Sequence, residues 1–132
     1  MKLNLGCGWQ KIEGYIGVDL CEGAEVRCDI TKLPDEWEGQ ATVIVVNHAF
    51  EHLPYYQAIR ALKEWHRVLS PGGLLVMEMP NLKQACIAFL RDPDNLTYGI
   101  GRIYGSQWEE ENDLMIHKSG WTPALLIRYL FD

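Results

Sequence analysis

The stretch Leu3-Asn4-Leu5-Gly6-Cys7-Gly8 decides the fold, because it runs a short apolar strand directly into two glycines. Glycines at the carboxyl end of a strand let a ligand approach the backbone, since they carry no side chain. A second apolar strand, Gly17-Val18-Asp19-Leu20, follows closely and ends in an acid. A carboxylate at such a strand end can accept both hydroxyl hydrogens of a ribose. The two strands together predict a nucleoside-binding site.

Five short apolar runs, each bounded by glycine or acidic residues, predict five β-strands. They are Lys2–Leu5, Tyr15–Val18, Glu25–Cys28, Thr42–Asn47 and Leu74–Met79. Apolar residues recur at three- and four-residue spacing over Pro54–Leu69, which predicts an amphipathic helix, and Ser70-Pro71-Gly72-Gly73 should end it. Because continuously apolar strands belong in a parallel sheet covered on both faces, the predicted class is α/β.

The second half of the chain is predicted to be less regular. Asn81 can cap a helix through Arg91, and Thr122-Pro123 can open a last helix, Ala124–Phe131. Between them, residues 92–121 read as a loop of about thirty residues, a length typical of a lid or a binding surface. Its aromatic residues fit either a substrate wall or a core; they are Tyr98, Tyr104, Trp108 and Trp121.

Length and charge restrict the classes of protein and partner. A chain of 132 residues fits one domain, residues 1–132, with no room for a second module. The formal net charge of -6 disfavours binding to nucleic acid or to an anionic membrane, so a small or neutral partner fits better. Neither a signal peptide nor a run of about 18 apolar residues is visible, which predicts a cytoplasmic protein.

Metal binding is not predicted from the cysteines. The four cysteines form no CxxC pair, so reduced thiols are expected in place of a disulfide framework or a zinc site. His48 and His52 flank Glu51, but the helical zinc motif needs its glutamate directly after the first histidine. We therefore expect no metal site.

Five motifs in series resemble the ordered motifs of class I S-adenosylmethionine-dependent methyltransferases. They are Leu-Asn-Leu-Gly-Cys-Gly, Gly-Val-Asp-Leu, Cys-Asp-Ile-Thr-Lys-Leu-Pro, Asn-His-Ala-Phe-Glu-His-Leu and Arg-Val-Leu-Ser-Pro-Gly-Gly. The resemblance covers residues 2–80 and is nearest to small bacterial members with a shortened first crossover. It implies an open, doubly wound, mostly parallel Rossmann-like sheet of about five strands, with the cofactor above the strand carboxyl ends.

The resemblance places S-adenosylmethionine at four strand ends, on Gly6, Cys7, Gly8, Asp19, Leu20, Asp29, Ile30, Asn47 and His48. It implies that the glycine turn lines the methionine portion and that the acid ending the second strand holds the ribose. The end of the third strand would contact the adenine, and the end of the fourth would stand beside the sulfonium. Asp29 has an alternative role, because an acid before Ile30-Thr31-Lys32 can also cap a helical turn.

Histidines are the candidate catalytic residues. His48 lies near the tip of the fourth strand, where the methyl acceptor should arrive, and could take the proton of the acceptor. His117 in the late loop is a second candidate base. The alternative for each is a hydrogen-bonded structural histidine.

The predicted activity is transfer of a methyl group to O or N of a small molecule or glycan. A catalytically weak, methyltransferase-like binding or interaction module is the alternative. It is motivated by the absence of the two strands with which the family usually ends and by the short first crossover. A nicotinamide oxidoreductase fits poorly, because the third glycine of a dinucleotide fingerprint is missing.

Two departures from the family pattern carry structural expectations. The segment from Gly6 to Tyr15 is at the lower limit of the roughly 10–12 residues that a crossover with a helix needs, so its helix should be one turn or absent. The chain stops at Asp132, where the family usually adds two strands beside the fifth. An uncovered fifth strand would expose backbone groups, so we expect a homodimer or another partner along that edge.

Overall fold

The computed structural model describes residues 1–106 and 115–131. Its centre is a sheet of five parallel strands in the order β3-β2-β1-β4-β5. The strands are β1 (Lys2–Leu5), β2 (Ile16–Asp19), β3 (Val26–Arg27), β4 (Ala41–Asn47) and β5 (Leu69–Glu78). This arrangement confirms the predicted Rossmann-like α/β fold, in which β1 lies at the centre of the sheet, between β2 and β4.

The chain divides into two compact units. The first unit comprises Met1–Phe50 and Tyr56–Glu78, and it contains the whole sheet. The second unit comprises Glu51–Tyr55 and Met79–Asp132. The single domain expected over residues 1–132 stays a prediction, and each unit is described by itself below.

The core of the first unit lies on the two central strands. Leu3 and Leu5 of β1 and Ile44 and Val46 of β4 have no exposed surface. Leu3 pairs with Ile44 in the parallel register of the two strands. Burial of such side chains stabilises the fold by about 1.5–3 kcal/mol each. Central strands of a parallel sheet are covered on both faces, which is why the sequences of β1 and β4 are apolar runs.

Helix α1 (Tyr55–Val68) matches the predicted amphipathic helix to within a residue at each end. Its apolar residues at three- and four-residue spacing are buried, and Trp65 among them has no exposed surface. The indole Nε1 of Trp65 donates a 2.8 Å hydrogen bond to the carbonyl of Ile30. The helix therefore fixes the chain just after β3 as well as covering the sheet.

The predicted start of β5 at Leu74 is wrong, because the strand begins at Leu69, directly after α1. The register passes from Ala41 opposite Leu69 to Val43 opposite Leu74, so Ser70–Gly73 form an irregular insertion in the ladder. Gly72 lies at φ +76°. Proline and glycine, read as a helix stop, here accommodate a bulge at a sheet edge.

The first crossover carries no helix, as its length predicted. Residues 6–15, all of them described, form turns and bends between β1 and β2. The side-chain amide of Asn4, a buried residue of β1, donates a 3.1 Å hydrogen bond to the carbonyl of Gln10. This polar contact inside an apolar strand holds the short crossover against the sheet.

The second unit is mainly helical. Its helices are α2 (Leu82–Arg91), a π-helical turn (Leu96–Ile100), α3 (Gly101–Tyr104) and α4 (Pro123–Phe131). Asn81 caps α2 by accepting from the amide of Lys83, as predicted. No helix within the described ranges is both long and apolar enough to cross a membrane.

The expectation of a continuous loop over residues 92–121 is wrong. Asn95 accepts hydrogen bonds from the amides of Thr97 and Tyr98 and so starts the π-helical turn, which α3 continues. Gly99 in this stretch is buried, and a Cβ there would press against the carbonyl of Asp92. Here glycine permits close packing and does not end the helix.

The late aromatic residues divide between core and surface. Trp121 is 1% exposed and packs against the rings of Tyr55 and Tyr129, with centroids 5.2 and 5.8 Å away. It is a core residue of the second unit. Tyr98 and Tyr104 are more than half exposed, and Trp108 lies outside the described residues.

Candidate functional site

The glycine turn after β1 is tightly packed on one side. Gly6 lies at φ +67° and Gly8 at φ +52°, a region that favours glycine. A Cβ on Gly6 would clash with the Cβ of Ala49 and lie 3.8 Å from Cδ1 of Ile30. The turn therefore brings together the ends of β1 and β4 and the residues after β3, as the motif order predicted.

Asp19 connects the glycine turn to the end of β2. Its Oδ2 accepts a 2.8 Å hydrogen bond from the amide of Gly8, and its Oδ1 accepts a 3.1 Å bond from the amide of Cys21. These two bonds orient the carboxylate across the carboxyl edge of the sheet. An ionised carboxylate has about four lone-pair sites, so two backbone bonds leave it able to accept two more.

Leu20 follows Asp19 and is 53% exposed. Its carbonyl accepts a 2.9 Å hydrogen bond from Nε of Arg27, at the end of β3. The exposed side chain therefore leaves an apolar surface available to a ligand directly after β2.

The residues after β3 show the turn-cap geometry that was the alternative for Asp29. Oδ1 of Asp29 accepts a 2.8 Å hydrogen bond from the amide of Thr31. Ile30 is half-buried, and its carbonyl is held by Trp65. Contact of either residue with an adenine stays a prediction.

The end of β4 has an unusual backbone. His48 lies at φ +49° and is the one non-glycine residue of the described ranges with a positive φ. Its amide donates a 2.8 Å bond to the carbonyl of Glu78, and its Nε2 lies 3.6 Å from Oε1 of that residue. Asn47 pairs with Glu78 in the sheet. Strained conformations of this kind concentrate at functional sites.

Cys7 fills the glycine turn as a small, unreactive residue. It is buried, and both its Sγ and that of Cys21 lie within hydrogen-bond distance of the carbonyl of Gly8, at 3.4 and 3.1 Å. Burial, followed by the charge of Asp19, raises the pKa of the Cys7 thiol. A raised pKa keeps the thiol protonated and disfavours nucleophilic chemistry.

His117, the second candidate base, belongs to the second unit. Its Nε2 lies 4.0 Å from Oε1 of Glu51, and its ring stands edge-on to His52 with centroids 5.1 Å apart. Burial lowers the pKa of His117, although the charge of Glu51 opposes this shift. The ring therefore favours its neutral form near pH 7.

The sequence analysis missed two polar side chains that shape the site. One is Asn4, which fixes the first crossover through Gln10. The other is Glu25, whose Oε2 accepts a 2.7 Å hydrogen bond from the amide of Gly17 in β2. A polar residue inside the run Leu3-Asn4-Leu5 was the available signal for the first, whereas nothing in the spacing pointed to the second.

The described residues fit a nucleoside cofactor at this edge. The glycine turn permits close approach to the backbone, and the oriented Asp19 carboxylate has capacity for two hydroxyl donors. An open parallel sheet binds ligands outside its strand carboxyl ends, where the order reverses between β1 and β4. Fold and site together define the class I methyltransferase architecture.

Comparison with protein families identifies the chain further. A family model described as a methyltransferase domain matches residues 3–77, more than half of the chain. The chain belongs to this methyltransferase-domain family, in agreement with the resemblance to class I S-adenosylmethionine-dependent methyltransferases. A search of curated protein sequences found no match.

Comparison with solved structures supports the fold. The crystal structure of the PH0226 protein from Pyrococcus horikoshii OT3 is similar, with a TM-score of 0.57 and 21% sequence identity. The similarity covers 67% of this chain and 53% of that one. This chain therefore matches about half the length of the PH0226 protein.

Proposed function

We propose that this chain binds S-adenosylmethionine at the carboxyl edge of its sheet and transfers the methyl group to O or N of a small molecule or glycan. The observation that carries the proposal is the Asp19 carboxylate, held by the amides of Gly8 and Cys21 beside the glycine turn. Membership of the methyltransferase-domain family supports it.

The residues of the chain would mainly bind and align. Asp19 would accept the ribose hydroxyls, the glycine turn would admit the amino-acid portion, and Ile30 would pack on the base. A bound cofactor would supply a methyl group activated by its sulfonium, so that the acceptor O or N could bond to the methyl carbon while the carbon–sulfur bond breaks and the sulfur leaves as a neutral thioether. Positioning accounts for much of the acceleration of such a step.

In this proposal His48 is the general base. Its ring is exposed at the end of β4, and Glu78 faces its Nε2. A histidine beside a carboxylate can accept the proton of an acceptor hydroxyl or amine. An acceptor without strong negative charge fits best, because the chain is acidic and Asp19 and Glu78 both end strands at this edge.

A methyltransferase-like binding module is the second candidate, favoured by the short first crossover. Residues 6–15, which are described throughout, contain no helix whose N-terminus could support the carboxylate of a ligand. This module would bind the cofactor or a related nucleoside without turnover.

A partner is proposed along β5. This strand ends the sheet, and Leu74 and Val76 on it are 57% and 41% exposed. Exposed apolar edge strands favour pairing with another chain. A second copy of this chain is the partner we propose.

Four free cysteines suit a reducing compartment, so we propose a cytoplasmic location.

Calorimetric titration with S-adenosylmethionine, with NADH as a parallel ligand, tests the proposed function. Wild-type protein should bind the former with micromolar affinity and not the latter. Asp19→Ala should weaken binding at least about 100-fold, because two hydrogen bonds to a charged acceptor are lost.

Asp19→Asn is the matched control, since it keeps the shape of the side chain and removes the charge and part of the accepting capacity. It should weaken binding by an intermediate factor. Unchanged affinity in Asp19→Ala would disprove the site. Tight binding without methyl transfer to any hydroxyl or amine acceptor in a substrate screen would favour the binding module.

A further inference from the structure

Three metal-ligating side chains meet in the second unit, outside the proposed cofactor site. Glu51, His52 and His117 each present one ligand atom, and these atoms lie within 4.8 Å of one another. Glu51 is 2% exposed, and both histidines are half-buried. We call these three residues the Glu51–His52–His117 cluster.

Backbone hydrogen bonds hold the cluster together from two distant parts of the chain. The carbonyl of Glu51 accepts from the amides of Lys118 and Ser119, at 2.8 and 3.1 Å. The amide of His117 donates a 3.0 Å bond to the carbonyl of Tyr104. Backbone hydrogen bonds therefore fix the main chain that carries the cluster on both sides. The three side chains are held near one another by the fold and not only by contacts among themselves.

The hydrogen bond of His52 sets its tautomer. Its Nδ1 lies 3.1 Å from the carbonyl oxygen of Ile116, which can only accept, so Nδ1 carries the proton. Nε2 of His52 then carries the lone pair. A metal-binding histidine typically donates its other ring N–H to a carbonyl or carboxylate in this way.

We propose that the Glu51–His52–His117 cluster binds one divalent transition-metal ion, with zinc the ion its ligands suit best. Two imidazole nitrogens and one carboxylate oxygen are a typical three-residue zinc set, whereas magnesium and calcium prefer oxygen ligands alone. Ligand atoms around tetrahedral zinc are about 3.4 Å apart. Side-chain rotations that move these ligand atoms by roughly 1 Å would therefore bring them to zinc-binding distance.

This proposal departs from the expectation of no metal site and from the assignment of His117 as a base. The zinc motifs that a sequence reveals place their ligands at close spacing, in CxxC pairs or on one helix. Here two ligands lie in the short 3-10 helix Phe50–His52, and the third is His117, which only the fold brings to them. In this role His117 is a ligand and does not transfer protons.

Zinc titration of metal-stripped protein tests the proposal. Calorimetry should give a stoichiometry of about one Zn²⁺ per chain, and the melting temperature should rise with Zn²⁺ because only the folded state holds the three ligands together. Glu51→Gln and His117→Ala should each lower the affinity at least about 100-fold, more than the loss of an outer-shell partner typically costs.

His66→Ala is the matched control, because His66 is exposed on α1 in the first unit. It should bind Zn²⁺ like the wild type. Far-UV circular dichroism checks that each variant is folded, and Glu51→Gln conserves the volume of the side chain. Co²⁺ in place of Zn²⁺ should give an absorption spectrum without thiolate charge transfer, since no cysteine is a ligand.

Three results would overturn the proposal. One is wild-type affinity no higher than that of the folded Glu51→Gln and His117→Ala variants. Another is an equal loss of binding in His66→Ala, which indicates scattered surface histidines. The third is a thiolate band with Co²⁺, which places the ion on the cysteines instead.

Discussion

Two residues at the carboxyl edge of the sheet have backbone conformations that most residues avoid, for different reasons. At Gly6 the left-handed turn also leaves no space for a Cβ, because Ala49 occupies it. At His48 an ordinary L-residue adopts a φ of +49° after β4. Substitution can separate backbone strain from steric contact at each position.

Gly6→Ala should destabilise the protein by roughly 2 kcal/mol or more, because a left-handed alanine and an overpacked contact both contribute. Gly39→Ala is its control: Gly39 lies at φ +63°, but no atom is within 4 Å of a Cβ placed there. That control should lose only about 1 kcal/mol. Urea unfolding measures both, and equal losses would contradict the packing of Gly6 on Ala49.

His48→Gly should be more stable than His48→Ala by about 1 kcal/mol, because glycine adopts a positive φ without strain. Both variants should retain affinity for S-adenosylmethionine and lose methyl transfer by about 10²–10⁴-fold, the usual contribution of a general base. Urea unfolding, calorimetry and an assay of transfer to an identified acceptor provide the three readouts. Full turnover in either variant would remove His48 from the mechanism.

At the scale of elements, α1 is joined to the chain after β3 by a charged pair. Glu64 and Arg67 form two hydrogen bonds, at 2.6 and 3.1 Å, and Oε1 of Glu64 also accepts from the amide of Leu33. Nη2 of Arg67 donates to the carbonyls of Leu33 and Pro34. The pair therefore fixes Leu33 and Pro34, which belong to the segment that follows β3.

The Arg67 hydrogen bond is the main cause that lowers the pKa of Glu64, with the Leu33 amide contributing, while burial opposes the shift. Because the pKa of Glu64 is lower in the folded chain than in the unfolded chain, the carboxylate stabilises the fold at pH values above the unfolded pKa, and this stabilisation is lost as the pH falls through the folded pKa.

Glu64→Gln should therefore be less stable than wild type by about 1 kcal/mol at pH 7, and the difference should shrink below the unfolded pKa. Arg67→Lys, which keeps the charge but not the two parallel bonds, should lose part of that stability. Urea unfolding at several pH values measures both. A difference that grows on acidification would contradict the predicted sign.

Elements with a strong local pattern were predictable, and those set by distant contacts were not. The apolar runs of β1 and β4 and the periodicity of α1 gave bounds within about a residue. The bulge at Ser70–Gly73 was missed because the same residues also end helices. The π-helical turn at Leu96–Ile100 depends on the cap of Asn95 and on close packing around Gly99, and neither follows from an apolar pattern.

The site was predictable to a similar degree. The strand ends and their order follow from the motifs, and the hydrogen bond from the amide of Gly8 to Asp19 joins two of these ends. The polar anchors Asn4 and Glu25 bind backbone groups that become neighbours only when the first crossover closes. No spacing rule encodes such partners.

At the scale of the whole molecule, the exposed face of β5 is the feature that calls for a partner. Light scattering at high micromolar concentration should give the mass of two chains. Leu74→Lys should shift the protein to the monomer, because a charge on an edge strand prevents pairing with a second copy.

Leu90→Lys is the control for this experiment, since Leu90 is 77% exposed on α2 in the second unit. It should leave the mass unchanged. A wild-type mass of one chain at every concentration, or dimers that persist in Leu74→Lys, would contradict pairing along β5.

The strand order also has a consequence for the time course of folding. The central strand β1 is the first to be synthesised, but one of its two neighbours is β4, with Leu3 opposite Ile44. The chain between β1 and β4 must lose conformational entropy before the contacts between the two strands can form. Such nonlocal pairing slows folding. The nascent chain therefore exposes one edge of β1 until β4 has left the ribosome, and chaperones should bind preferentially during that interval.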